Sequence, residues 1–134
     1  MKDSNYVIIN SGLFPVLKGE DEELINPGTY GKALAVFIRE QLEAKGYNFS
    51  FIVCEDFGWW VEFKGLPFHL GIICRVLPDK NDNFLCGLSI EEGKVWSWKR
   101  FWFVDTTNVI KSIKSDILTI FNNTDGTEIV ENYF

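Results

Sequence analysis

The stretch FSFIVCEDFGWWVEFK, residues 49–64, decides the fold. It reads as two strands separated by a bend near Gly58. In the second strand Trp59, Val61 and Phe63 share one face, while Trp60, Glu62 and Lys64 share the other. Trp59 is therefore expected in the core and Trp60 at a contact surface. The same stretch raises a chemical question, because Glu55 and Asp56 stand next to Phe57, Trp59 and Trp60. Paired carboxylates perform acid–base chemistry when their environments push two pKa values apart. Neighbouring strand residues point to opposite faces, so this pair is not expected to converge unless a bend separates them.

Further strands follow toward the C-terminus: FHLGIICRVL (68–77), FLCGLSIE (84–91) and VWSWKRFWFV (95–104). Their separators carry turn chemistry: Gly65 with Pro67, the run PDKNDN at 78–83, and Glu91-Glu92-Gly93. Connections this short imply an antiparallel meander, since parallel pairs need long crossovers. In residues 68–77 one face takes Phe68, Leu70, Ile72, Cys74 and Val76, and the other takes His69, Gly71, Ile73, Arg75 and Leu77. One covered face and one mixed face is the pattern of an antiparallel sheet. Read as a single strand, VWSWKRFWF puts Trp96, Trp98, Arg100 and Trp102 on one side.

Two helices flank this run. Asn26 suits an N-cap and Pro27 a first helical position, and Tyr30, Leu34, Phe37, Ile38 and Leu42 then form an apolar stripe that Lys45 and Gly46 end. Arg39, Glu40 and Glu43 fall on its solvated side. Thr106 or Thr107 can cap a second helix with Ile110, Ile113, Ile117, Ile120 and Phe121 inward, and Lys111, Lys114 and Asp116 outward. YVII (6–9) is an opening strand, and TEIVENYF (127–134) a closing one after an Asp125-Gly126 turn. The expected fold is a single α+β domain over residues 1–134. It has two layers, a largely antiparallel sheet of five to six strands with two amphipathic helices on one face.

A chain of 134 residues, 46% apolar and 24% charged, can build a core without metal or disulfide staples. A net charge of −6 and a pI near 4.8 repel phosphate backbones and favour basic partners. Nucleic acid and membrane are accordingly not expected as partners. The aromatic share is 16%, with five tryptophans, so some rings should reach the surface. Three cysteines without CxxC spacing read as reduced, buried thiols of a cytoplasmic protein. A zinc site would require Cys54, Cys74, Cys86 and the single histidine, His69, to converge, and neither metal nor cofactor is expected. No signal-peptide core and no apolar run of membrane-spanning length is present.

Nucleophile elbows, phosphate-binding glycine loops and zincin motifs are absent from the sequence. The acidic run Glu20, Asp21, Glu22 and Glu23 reads as a solvated loop, or as a docking patch that steers a basic partner. Trp60 and Glu62, together with Trp98 and Arg100, have the composition of an interface hot spot. Stacked rings beside Lys99 and Arg100 would also suit single-stranded nucleic acid, against which the overall acidity argues.

NPGTYGKALAVFI, residues 26–38, and CEDFGWWVEF, residues 54–63, together resemble a group of small bacterial proteins. That group pairs an NPGxxGKALA-like helix start with an EDWGW-like strand, and this chain departs from it at Phe57. The resemblance extends over most of the chain and implies a fold but no catalytic residues. In size, acidity and layout the chain is also similar to immunity proteins of contact-dependent growth inhibition systems. The expected function is thus a non-catalytic binding protein that neutralises a cognate toxin, such as a basic nuclease domain, by stoichiometric binding. Its contact residues would be Glu20, Asp21, Glu22, Glu23, Glu55, Asp56, Trp60, Glu62, Trp98 and Arg100. Two alternatives are a small hydrolase or transferase using Glu55, Asp56 and His69, and an acidic inhibitor that mimics nucleic acid.

Overall fold

Runs rich in β-branched, aromatic and other apolar residues, each ended by a turn, make the middle of the chain four consecutive antiparallel strands. They are β2 (Phe49–Glu55), β3 (Gly58–Phe63), β4 (Gly71–Val76) and β5 (Asn83–Leu88). β1 (Tyr6–Ser11) lies beside β5, and β8 (Thr127–Asn132) closes the far edge, giving the order β2-β3-β4-β5-β1-β8. Every pairing in this sheet is antiparallel. The computed structural model describes residues 5–78 and 82–134; positions 79–81 of the expected 78–83 turn lie outside the described residues.

Helix α2 (Lys32–Glu43) and helix α3 (Thr107–Asn122) cover one face of the sheet. Their buried stripes, Leu34, Ala35, Ile38 and Leu42 with Ile110, Ile113, Ile117 and Phe121, meet Trp59, Val61, Ile72, Cys74 and Cys86. The architecture is the expected α+β layering, and the strand parity of Trp59, Val61 and Phe63 holds. Burying these side chains supplies the main driving force, about 1.5–3 kcal/mol for each large apolar group. No helix among the described residues is long and apolar enough to cross a membrane.

Several local readings change. α2 begins at Lys32, not at Pro27, because residues just before it pair elsewhere: the Tyr30 carbonyl accepts the Val76 N–H at 2.6 Å. Gly31 makes that approach possible, since a Cβ there would sit 2.7 Å from the Cys74 carbonyl oxygen. The run expected as a loop forms a one-turn helix, α1 (Glu20–Glu23), and Glu20 is only 1% exposed. Its Oε2 accepts the N–H groups of Gly31 and Lys32 at 2.9 and 3.0 Å, and its Oε1 that of Leu17 at 3.0 Å. A carboxylate distant in sequence therefore supplies the N-terminal cap of α2. At α3 the capping acceptor is Asp105, 2.9 Å from the Thr107 N–H, and hydrogen bonds from Thr107 hold its carboxyl below the usual carboxylate range. Lys114, expected outside, is 8% exposed and reaches Glu92 at 3.3 Å.

The three cysteines are free and buried on the covered side, with Cys74 directly opposite Cys86 on neighbouring strands. Burial, and then the neighbouring Cys86 thiol, push the Cys74 thiol well above its ordinary value. Thiolate is the reactive form, so a raised pKa and a closed core both suppress reaction. Ellman's reagent at pH 8 is expected to leave Cys74 and Cys86 unmodified in the native protein and to label all three cysteines in denaturant. Rapid labelling of Cys74 without unfolding would contradict this packing.

Candidate protein-binding surface

Residues 95–104 do not form one strand. β6 (Lys94–Ser97) and β7 (Trp102–Asp105) pair as a separate hairpin, with Trp96 opposite Phe103 and Ser97 opposite Trp102. The chain reverses through Trp98, Lys99, Arg100 and Phe101, and Phe101 takes the left-handed φ of 55°. That conformation is uncommon for a bulky residue and costs on the order of 1 kcal/mol or more. The single-face grouping of Trp96, Trp98, Arg100 and Trp102 is therefore corrected, since the period-two rule stops at Ser97.

The hairpin is held at both ends by buried hydroxyls. Ser97, 2% exposed, donates to the Pro67 carbonyl and accepts the Arg100 N–H at 3.2 Å, which fixes the turn against the β3–β4 loop. Thr106, fully buried, accepts the Gly93 N–H at 3.1 Å and closes the base. Val95 and Val104 pack toward the main core. The other rings project outward, with Trp98 79%, Phe101 69%, Trp102 69% and Phe103 56% exposed. Trp96 sits among them, its centroid 5.6 Å from Trp98, 5.5 Å from Phe101 and 5.4 Å from Phe103. All three contacts are edge-on, the arrangement that ring quadrupoles favour.

Beside the hairpin lies a second constellation on the open sheet face. The Trp60 indole N–H donates to Glu62 Oε1 at 2.7 Å, and His69 Nε2 stands 3.0 Å from Glu62 Oε2. The Trp60 and His69 rings stack with centroids 5.7 Å apart. Gly71 creates the space, because a Cβ there would fall 2.2 Å from the Trp60 ring. Gly71→Ala is expected to expel Trp60 from this position without unseating Trp59, which faces the core. A changed indole environment in tryptophan fluorescence and near-UV circular dichroism checks it, and an unchanged spectrum speaks against the packing. A groove of about 320 Å³ connects this constellation to the hairpin; Glu62, Phe68, His69, Trp96, Trp98 and Lys99 are among its lining residues.

The acidic candidates gather at the opposite end of the sheet. Glu55 and Asp56 are exposed at the β2–β3 turn, where the Asp56 carbonyl accepts the Asn26 side chain at 2.7 Å. Asp21 accepts the Tyr30 hydroxyl, a bond that with nearby carboxylates pushes the phenol above its ordinary value. Glu23 pairs with Lys32 at 2.6 Å, and Glu22 is exposed. From Gly58 to Phe63 the strand rises roughly 16 Å, which separates this acidic pole from the aromatic one. Of the ten candidate contact residues, Glu62, Trp98 and Arg100 fall at the aromatic pole and Asp21, Glu22, Glu23, Glu55 and Asp56 at the acidic one, while the Trp60 ring bridges them, 6.1 Å from Phe57 and 5.7 Å from His69. Glu20 leaves the set, since its carboxylate is buried under α2.

Glu55 and Asp56 do not meet His69, and the structure assembles no catalytic group from these three. His69 also lies on the open face, away from the core-facing thiols of Cys54, Cys74 and Cys86. Sequence reasoning missed Phe101 and Phe103 as parts of the surface and Ser97 as the buried anchor beneath it. The one local hint was Ser97, whose hydroxyl accepts the Arg100 N–H three residues on. No family model, curated protein or solved structure matches the chain.

Proposed function

We propose that the chain is a non-catalytic binding protein that docks a protein partner through the β6–β7 hairpin. In its most concrete form it is an immunity protein that occludes a cognate toxin in the cytoplasm. One observation carries this reading: a hairpin pinned at Ser97 and Thr106 holds four aromatic rings more than half exposed. Contiguous exposed apolar surface of this kind marks an interaction site, and Trp, Phe and Arg are residues that anchor interfaces. A net charge of −6 suits a basic partner, and the exposed acids at the far pole add long-range attraction more than contact energy.

Co-expression with a toxin domain encoded by an adjacent gene tests the reading. The two chains are expected to elute as one stoichiometric complex in size-exclusion chromatography, and Trp98→Ser to dissolve it. Separate elution, or a complex equally tight with Trp98→Ser, overturns the proposal.

A further inference from the structure

We infer that the groove between the hairpin and the open sheet face receives an arginine side chain of the protein partner, with Glu62 as its counter-ion. The inference rests on the docking reading above and gives the partner a chemistry.

Glu62 is the reason. Its side chain is 14% exposed, and among the described residues its carboxylate meets the neutral Trp60 indole N–H and His69, with no lysine or arginine in ion-pair contact. A carboxylate largely removed from water, partnered by an indole N–H and an imidazole but by no permanent cation, gains from one that arrives with further donors. Each oxygen still has lone-pair capacity, because a carboxylate accepts about four hydrogen bonds and this one uses one on each oxygen. Lys99, exposed on the rim, makes no ion pair with it.

The walls narrow the choice of occupant. Trp96 and Trp98 line the groove with His69 opposite the same carboxylate. An acidic side chain would be repelled by Glu62. An apolar one would fill the groove but strip the remaining water from the carboxylate without adding a donor, which is costly. A cation gains both the carboxylate and the aromatic faces. Guanidinium fits better than ammonium, since it is planar, stacks on rings and binds carboxylate with two parallel N–H groups. The hairpin places this groove at the edge of the exposed aromatic surface, so a partner docked there would have the groove within its footprint.

The test uses the full chain, labelled with nitrogen-15, and two peptides, acetyl-Gly-Arg-Gly-amide and its citrulline counterpart. Citrulline keeps the shape of arginine and removes its charge. The arginine peptide is expected to shift the Trp60 and Trp98 indole N–H resonances saturably, with a Kd on the order of 1–10 mM. The citrulline peptide should bind about tenfold more weakly or less, the loss of roughly one charge-assisted hydrogen bond. Glu62→Gln keeps an acceptor for Trp60 and is expected to erase the arginine preference while leaving the rest of the spectrum in place. Equal shifts from both peptides, or an undiminished preference in Glu62→Gln, overturn the inference. The two proposals fail separately: a partner complex lost with Trp98→Ser but unaffected by Glu62→Gln keeps hairpin docking and removes the arginine site.

Discussion

Glu20→Ala is expected to lower the free energy of unfolding by about 3 kcal/mol, an unusual loss for one residue of an acidic run. The carboxylate accepts three backbone N–H groups, from Leu17, Gly31 and Lys32, and two of these open α2. An orphaned buried donor costs about 1–3 kcal/mol. Water can reach the partly buried Leu17 and Lys32 donors once the side chain is gone, which keeps the total near the lower end of the sum. The favourable field of a negative charge at a helix N-terminus is lost as well. In urea the midpoint should fall by roughly 1.5–2 M, given a slope near 1.5–2 kcal/mol/M for a domain of this size. Asp21→Ala, Glu22→Ala and Glu23→Ala should each stay within about 0.5 kcal/mol of the parent, as exposed positions do. If all four substitutions behave alike, the buried cap is not what holds α2.

The second large effect concerns binding and leaves the fold alone. Trp98→Ser combined with Phe101→Ser removes two exposed rings, so unfolding should move by no more than about 0.5 kcal/mol. Affinity for the partner should fall more than a hundredfold, about 3 kcal/mol, because anchors of this type contribute about 2 kcal/mol each and neighbours add imperfectly. The dissociation rate should carry most of the change. Neutralising Glu55 and Asp56 at the acidic pole should instead slow association, and only at low salt. Calorimetry and surface plasmon resonance with the purified partner separate these outcomes. Unchanged affinity in the double variant would remove the hairpin from the interface.

Strand parity made most of the fold legible. Trp59, Val61 and Phe63 are in the core and Trp60 is on the open face because a period of two fixes every side chain once one is placed. The helical stripes were equally readable from spacing. The hairpin was not, since its reversal uses Trp98, Lys99, Arg100 and Phe101 and contains none of the residues that normally announce a turn. Its left-handed Phe101 is held by long-range contacts, Ser97 to Pro67 above all, which local sequence does not encode. Glu20 was missed for a related reason. Four adjacent acids look solvated as a group, and only the fold decides that one of them turns inward to N–H groups eleven and twelve residues away. The candidate site was half legible: composition pointed to Trp60, Glu62, Trp98 and Arg100, while geometry moved the acids to another pole.

The place of β1 in the sheet has a consequence in time. It lies between β5 and β8, so its two neighbours are made some 75 and 120 residues after it, as the pairings Ile8 with Leu85 and Ile8 with Glu131 require. During synthesis the β2–β5 meander can close as it emerges, because each strand pairs with the next. β1 must wait, its apolar side chains Val7, Ile8 and Ile9 unpaired, until β5 offers an edge. β1 is thus made before the meander and seated only after it. That interval is when the chain is most exposed to aggregation and when a chaperone would find it.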